Sequence, residues 1–122
     1  MMLFNKRAVG NHYESLANKY LIGQGLALIE RNFTTKFGEI DLIMQDNEAI
    51  VFVEVKYRKQ NQFGYAEEFV THSKRKKLIK TAFIWLNKKG YPAQLTCFRF
   101  DVVAINQTDN GINWIKNAIT QD

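Results

Sequence analysis

Asp41, Glu54 and Lys56 lie on two segments with strand-like composition, FGEIDLIMQ (Phe37–Gln45) and AIVFVEVKY (Ala49–Tyr57), separated only by Asp46-Asn47-Glu48. A hairpin centred on Asn47 places Asp41 and Glu54 nearly opposite each other, to within a one-residue bulge. Like charges facing one another on a sheet destabilise it unless a positive group lies between them. Lys56 is one such group, and a divalent cation is another. Two carboxylates a few ångströms apart form a hard oxygen site suited to Mg²⁺ or Mn²⁺, with coordination positions left for water and a phosphate oxygen. Such an ion polarises a phosphodiester and activates water, and an adjacent lysine stabilises the charge that develops. Asp followed by Glu-x-Lys on neighbouring strands therefore supplies metal ligands and a cationic assistant on one rigid support, an arrangement that suits phosphodiester hydrolysis, although the spacing alone also arises by chance. The plainer alternative is that Asp41 caps a bend or pairs with Lys56 in a structural ion pair.

The surrounding chain must hold these groups. Tyr13, Leu16, Ala17 and Tyr20 recur at helical spacing and predict a helix over Asn11–Gly23, ended by Gly23 and Gly25. Glu14 falls with Ala17 and Leu21 along the edge of its apolar stripe, where it can face the sheet; as an ordinary exposed helix residue it would face water. Leu26–Phe33, Glu39–Gln45 and Ala49–Tyr57 read as strands, the last with the continuous IVFV run of a strand covered on both faces. Alternation puts Glu39, Asp41 and Ile43 on one face and Ile40 and Leu42 on the other. A loop with Gly64 spans Gln60–Tyr65. Ser73 is the expected cap of a helix running to Lys89, with Leu78, Ile79, Ala82, Phe83 and Leu86 inward and Gly90 as its stop. Thr96–Asn106 is a fourth strand and Ile112–Lys116 a short fifth. The order αβββαβ(β) predicts an α/β fold in which one mixed sheet is flanked by helices.

A chain of 122 residues with 46% hydrophobic and 24% charged residues is expected to form one domain, 1–122, with its core at about 10–106. Cys97 is the single cysteine, and His12 and His72 lack zinc-ligand spacing, so no disulfide or zinc framework is expected within the chain. With no signal-like or membrane-spanning apolar run, the expected location is the cytoplasm, without a membrane partner. Lys and Arg exceed Asp and Glu by 17 to 12 and cluster in KYRK (Lys56–Lys59) and KRKKLIK (Lys74–Lys80). That charge fits a nucleic-acid partner, with Arg58, Lys59, Lys74, Arg75 and Lys77 as candidate phosphate contacts; solvated strand and helix surfaces are the plainer reading. Arg99 and Asp101, on one strand face, read as a structural ion pair, and Trp85 and Trp114 as core or interface.

The motifs HYESLANKYL, FGEIDLI, VFVEVKYR and FRFDVVAI, in that order over roughly Gly10–Asn106, resemble the YraN-like family of predicted endonucleases. That family is related to archaeal Holliday-junction resolvases in the PD-(D/E)XK nuclease superfamily. The resemblance implies a restriction-endonuclease-like sheet, with Asp41, Glu54 and Lys56 catalytic and Asp41, Glu54 and Glu14 as metal ligands. Glu39 belongs to the same motif as a supporting residue that holds Lys56 or a metal-bound water. Tyr57 stands where a smaller residue is common and His72 where proline is often found; neither removes a ligand. The implied activity is Mg²⁺- or Mn²⁺-dependent cleavage of DNA, structured or branched, with RNA left open. So small a domain calls for a homodimer if it makes paired cuts. The alternative is a module that keeps the fold, binds nucleic acid and assists a partner enzyme without cutting.

Overall fold

A computed structural model of the chain describes residues 6–58 and 71–120. Its elements are α1 (Lys6–Gly23), β1 (Ala27–Thr35), β2 (Gly38–Asp46), β3 (Ala49–Arg58), α2 (His72–Lys89), β4 (Phe98–Asn106) and β5 (Ile112–Ile115). The five strands form one mixed sheet in the order β1-β2-β3-β4-β5. All neighbours are antiparallel except β3 and β4, which run parallel over Ile50↔Phe98 to Arg58↔Asn106. Parallel neighbours need a crossover, and α2 lies within it. The expected α/β architecture and element order are those observed.

Strand alternation divides the core. Val51, Val53 and Val55 of β3 pack beneath Tyr13, Ala17 and Leu21 of α1, while Ile50 and Phe52 pack beneath Leu78, Ala82, Trp85 and Leu86 of α2. Because β3 is buried on both faces, its apolar run is continuous. Phe52 stacks on Phe100 at 5.4 Å and meets Trp85 edge-on at 5.8 Å; such aromatic pairs add about 1 kcal/mol each beyond their burial. Among the described residues, no helix is long and apolar enough to cross a membrane.

Several boundaries differ from those expected. α1 begins at Lys6, a turn or more before Asn11, because its first residues lack an apolar stripe and gave no periodic signal. α2 is capped by Thr71, whose Oγ1 accepts the Lys74 N–H, and Ser73 lies inside the helix; Gly90 ends it as expected, at φ 81°. β4 begins at Phe98, while the Thr96 hydroxyl donates to the Pro92 carbonyl. The β2–β3 turn is Asn47-Glu48 alone, flanked by the pair Asp46↔Ala49, with Asn47 at φ 54°. The β2–β3 ladder then runs without a bulge to Leu42↔Val53; the sheet's bulge lies in β1, between Leu28 and Glu30. The expected loop Gln60–Tyr65 lies outside the described residues.

Strict alternation along β2 also fails. Ile40 packs with Ile43 on the α2 side, whereas Leu42 and Met44 pack on the α1 side. Ile40 and Ile43 are three positions apart, an odd step on one side of the sheet, so the phase slips by one between them, at Asp41.

Candidate active site

The slip at Asp41 marks where β2 and β3 part. Beyond Leu42↔Val53 the next pair would be Asp41 and Glu54, but a side chain takes over from the backbone ladder. Asp41 Oδ2 accepts the Val55 N–H at 2.8 Å. The carboxylate thus bridges the fork between the strands and is fixed by a charge-assisted hydrogen bond.

Past the fork, β3 carries Glu54 and Lys56 on the side covered by α2. Both are buried, at 6% and 9% exposure. Buried charges need partners, and Glu54 Oε1 has two: Lys56 Nζ at 3.3 Å and Lys74 Nζ at 3.0 Å. Lys74 comes from the first turn of α2. The charge run alone makes it a phosphate contact on a helix surface, yet it stands four residues before the buried Leu78, on the inward stripe with Ala82 and Trp85. That spacing was the available signal for its place in the site.

On the other side of the fork, Glu14 of α1 and Glu39 of β2 approach Asp41. One carboxylate oxygen from each of the three residues lies within 4.8 Å of the others. Glu39 accepts from the Thr34 hydroxyl at 2.9 Å. Glu14 is 3.8 Å from Arg31 and only 12% exposed, and its Oε1 is buried without a hydrogen bond among the described residues. The expected metal set was Asp41, Glu54 and Glu14. The tightest set is Glu14, Glu39 and Asp41, with Glu54 beyond Asp41 in the grip of the two lysines. Glu39 and Asp41 bring their carboxylates together, as residues of one face; Ile43, expected on that face, packs instead on the α2 side with Ile40.

The electrostatics follow this crowding. Burial raises the Asp41 carboxyl well above its ordinary range; Glu54, then Glu14 and Glu39, add to the rise, and the Val55 hydrogen bond opposes it. Burial also raises Glu14, with Glu39 adding and Asn32, Arg31 and Asp41 opposing. Lys56 is lowered, by burial first and by nearby Lys74, against the pull of Glu54. Burial works against the charge of Lys74 too, but Glu54 and Asp41 draw it above its usual value. The raised carboxyls reflect burial and their crowding together, and the lowered Lys56 reflects burial beside a second lysine; perturbed groups of both kinds in one cleft are typical of functional sites.

A cavity of about 270 Å³ opens on these groups, lined by Glu14, Asp41, Glu54, Lys56, Arg58 and Lys74 among others. Arg58 also donates from its guanidinium to the Tyr57 carbonyl. Arg75 and Lys77 do not line this cavity, and Lys59 lies outside the described residues. An apolar groove on the outer side of α2, lined in part by Ile79, Phe83 and Ile84, contains none of the carboxylates.

At the opposite end of β3, Arg99 joins Asp46 at 2.9 Å and Asp101 at 3.0 Å. Asp101, fully buried, also accepts from Trp114 Nε1 and the Asn117 N–H. This cluster ties β4 to the β2–β3 turn and to the segment after β5, the structural role expected of it. Trp85 is core and Trp114 packs at the edge of the α1-side cluster.

The chain matches a family model described as "Uncharacterised protein family UPF0102" over residues 13–105. It is 62% identical over 121 residues to a UPF0102 protein of Vibrio vulnificus, covering 99% of each chain. UPF0102 proteins of Vibrio campbellii and Vibrio cholerae are 56% and 49% identical, again over 99% of each chain. The matched span contains Glu14, Glu39, Asp41, Glu54, Lys56 and Lys74, so the whole constellation lies in the portion shared with these relatives. The chain belongs to the YraN-like family of uncharacterised proteins, UPF0102.

Proposed function

We propose that the protein is a divalent-metal-dependent endonuclease that hydrolyses phosphodiester bonds in DNA, acting on branched or flap-like structures, and that its sheet is that of the PD-(D/E)XK nucleases. The observation that carries this reading is the meeting of Glu14, Asp41, Glu54 and Lys56 at one cavity. They arrive from α1, β2 and β3, and no short-range packing need brings three like charges together.

The donor set fits Mg²⁺ or Mn²⁺. Glu14, Glu39 and Asp41 offer hard oxygen ligands within 4.8 Å of one another, and the buried Glu14 Oε1 lacks a hydrogen bond among the described residues. Asp41, Glu54 and Glu14 would hold the ion, with Glu39 in support. When bound, the ion would supply Lewis acidity to the phosphoryl group and to a water. Asp41 is oriented in advance by the Val55 amide. Lys56, with restricted freedom beside Glu54, is placed to steady the attacking water or the charge developing at phosphorus. Lys74 neutralises Glu54 and adds positive charge where a phosphate enters. Arg58, Arg75 and Lys77 supply outer phosphate contacts, and paired cuts on a duplex branch would use a homodimer.

The test is cleavage of end-labelled four-way junction, flap, single-stranded and linear duplex DNA in Mg²⁺ and in Mn²⁺, with an RNA strand as a further arm. Cutting that requires the metal and ranks branched or flap substrates first supports the reading. A second reading, a binding module that assists a partner enzyme, draws on one observation: Glu54 is already paired with two lysines. Saturable DNA binding with no cleavage in either metal would favour it.

A further inference from the structure

Gly10 occupies the interior of α1, where glycine weakens a helix relative to alanine. Packing among the described residues does not demand it: of these, a methyl group there would meet Tyr57 Oη, at an ordinary 3.8 Å. Nor does conformation, since Gly10 is not among the residues with left-handed φ. A glycine with room for a side chain and no need of unusual dihedrals marks a place where something outside the chain comes close to the backbone.

Its surroundings indicate what. Gly10 and Glu14, one helical turn apart, line both the cavity already described and a second one of about 660 Å³. The second is lined also by Arg7, Asn11, Asn32, Thr34 and Glu39. Arg7, Gly10, Asn11 and Glu14 recur at the spacing of a buried apolar stripe, yet here the stripe is polar because it fronts the two cavities. The first cavity sets Lys56, Arg58 and Lys74 against the carboxylates of Glu14, Asp41 and Glu54. The second joins the carboxylates of Glu14 and Glu39 to Arg7 and to the neutral groups of Asn11, Asn32 and Thr34; with those carboxylates turned to an ion, as in the endonuclease reading, the amide, hydroxyl and guanidinium groups are left for sugars, base edges and a further phosphate. Cavities of about 270 and 660 Å³ are on the scale of single nucleotides rather than of a duplex.

We propose that one strand of the substrate crosses α1 at Gly10, passing from the first cavity into the second, and that the missing side chain lets the sugar–phosphate backbone lie against the helix. This rests on the endonuclease reading and specifies it: the strand engaged at the site is unpaired where it passes the helix, and its register is set by the crossing. A side chain at residue 10 stands in that path.

The test uses fluorescence anisotropy in Ca²⁺ with labelled oligothymidylate and with a blunt duplex, alongside thermal melting. Wild type is compared with Gly10→Ala and Gly10→Leu, with Gly23→Ala, at the far end of α1 and with open space around it, as the control. Gly10→Ala should melt about 3 °C higher than wild type through helix propensity while binding the single strand more weakly. Gly10→Leu should lose about tenfold in single-strand affinity, the scale of one or two displaced backbone contacts, with a smaller change on the duplex. Gly23→Ala should bind as wild type does. Wild-type affinity in a folded Gly10→Leu would overturn the crossing. Should Gly10→Leu fail to fold, unchanged affinity in Gly10→Ala would overturn it instead. Wild type that binds neither probe would overturn the nucleic-acid reading itself, which separates the two failures.

Discussion

Replacing Asp41 by asparagine should stabilise the metal-free protein and destabilise the metal-loaded one relative to wild type. In the folded chain one Asp41 oxygen is within 4.8 Å of Glu14 and Glu39 oxygens, and Glu54 also raises its pKa. Two unit charges at that distance repel by about 3.5 kcal/mol at an effective dielectric of about 20, and by about 0.9 kcal/mol in bulk water. Glu39 is exposed, and Lys56, Lys74 and Arg31 stand nearby, so the net repulsion on Asp41 is nearer the lower figure, about 1–2 kcal/mol. Asparagine removes it and keeps an oxygen for the Val55 N–H, losing roughly 0.5 kcal/mol as that hydrogen bond becomes neutral. The net gain of about 1 kcal/mol corresponds to a rise of about 3–5 °C in melting temperature for a domain of this size. Mn²⁺ at a hundred times its dissociation constant adds about 2.7 kcal/mol to wild type, and much less to a variant that lacks a ligand. The assay is differential scanning fluorimetry of both proteins in EDTA and across a Mn²⁺ titration. The expected result is an inversion: Asp41→Asn melts higher in EDTA and lower in saturating Mn²⁺. A variant that melts below wild type in EDTA, with an equal Mn²⁺ shift, would refute the crowding argument and the ligand assignment together.

The raised carboxyls also set a pH dependence. Asp41 and Glu14, pushed up from ordinary values of 3.8 and 4.5 by burial and by neighbouring carboxylates, bind protons in the folded state that the unfolded chain has released. Their contribution to stability is therefore full below those ordinary values and is lost as pH rises through the raised ones. In EDTA the stability gap between Asp41→Asn and wild type should be smallest at acid pH and widen towards neutrality; a gap that narrows would contradict the sign. Lys56→Ala should slow cleavage by about a hundredfold or more, the scale of one lost electrostatic group, and leave the Mn²⁺ melting shift in place; loss of that shift would make Lys56 a structural partner only. Lys74→Ala should lower cleavage as well as affinity, whereas Lys77→Ala should only flatten the salt dependence of DNA binding by about one unit of slope. Equal behaviour of the two would place Lys74 outside the site. Asp101→Ala should destabilise the fold by about 2–4 kcal/mol, measured by urea denaturation, by leaving the Trp114 Nε1–H and the Asn117 N–H without their acceptor while Arg99 keeps Asp46.

Much of this architecture was legible because its signals are local. IVFV marks a strand buried on both sides, the spacing of Leu78, Ala82 and Leu86 gives the inward face of α2, and Gly90 supplies a left-handed stop. Asp41, Glu54 and Lys56 stood out as charges on strands that have no packing use for them. What escaped has a non-local cause. The phase slip in β2 sits at Asp41, whose side chain accepts the Val55 N–H fourteen residues on, opposite Asn32 with its φ of 54°, and alternation carries no trace of it. Ile43 consequently packs on the α2 side with Ile40 instead of sharing the face of Glu39 and Asp41. Thr71 and Ser73 are both plausible caps, and only the chain's approach to α2 chooses between them. The first turns of α1 gave no apolar rhythm because Arg7, Gly10 and Asn11 face cavities.

The most direct test of the central claim is single-turnover incubation of a labelled flap substrate with wild type, Asp41→Asn and Glu54→Gln, side by side in Mn²⁺ and in EDTA. The account predicts cleavage by wild type in Mn²⁺ alone, none by either variant, and DNA affinity in the variants equal to or tighter than wild type, since each removes a repulsive charge. Wild-type cleavage rates in a folded variant, or saturable binding by wild type without any cleavage, would contradict it.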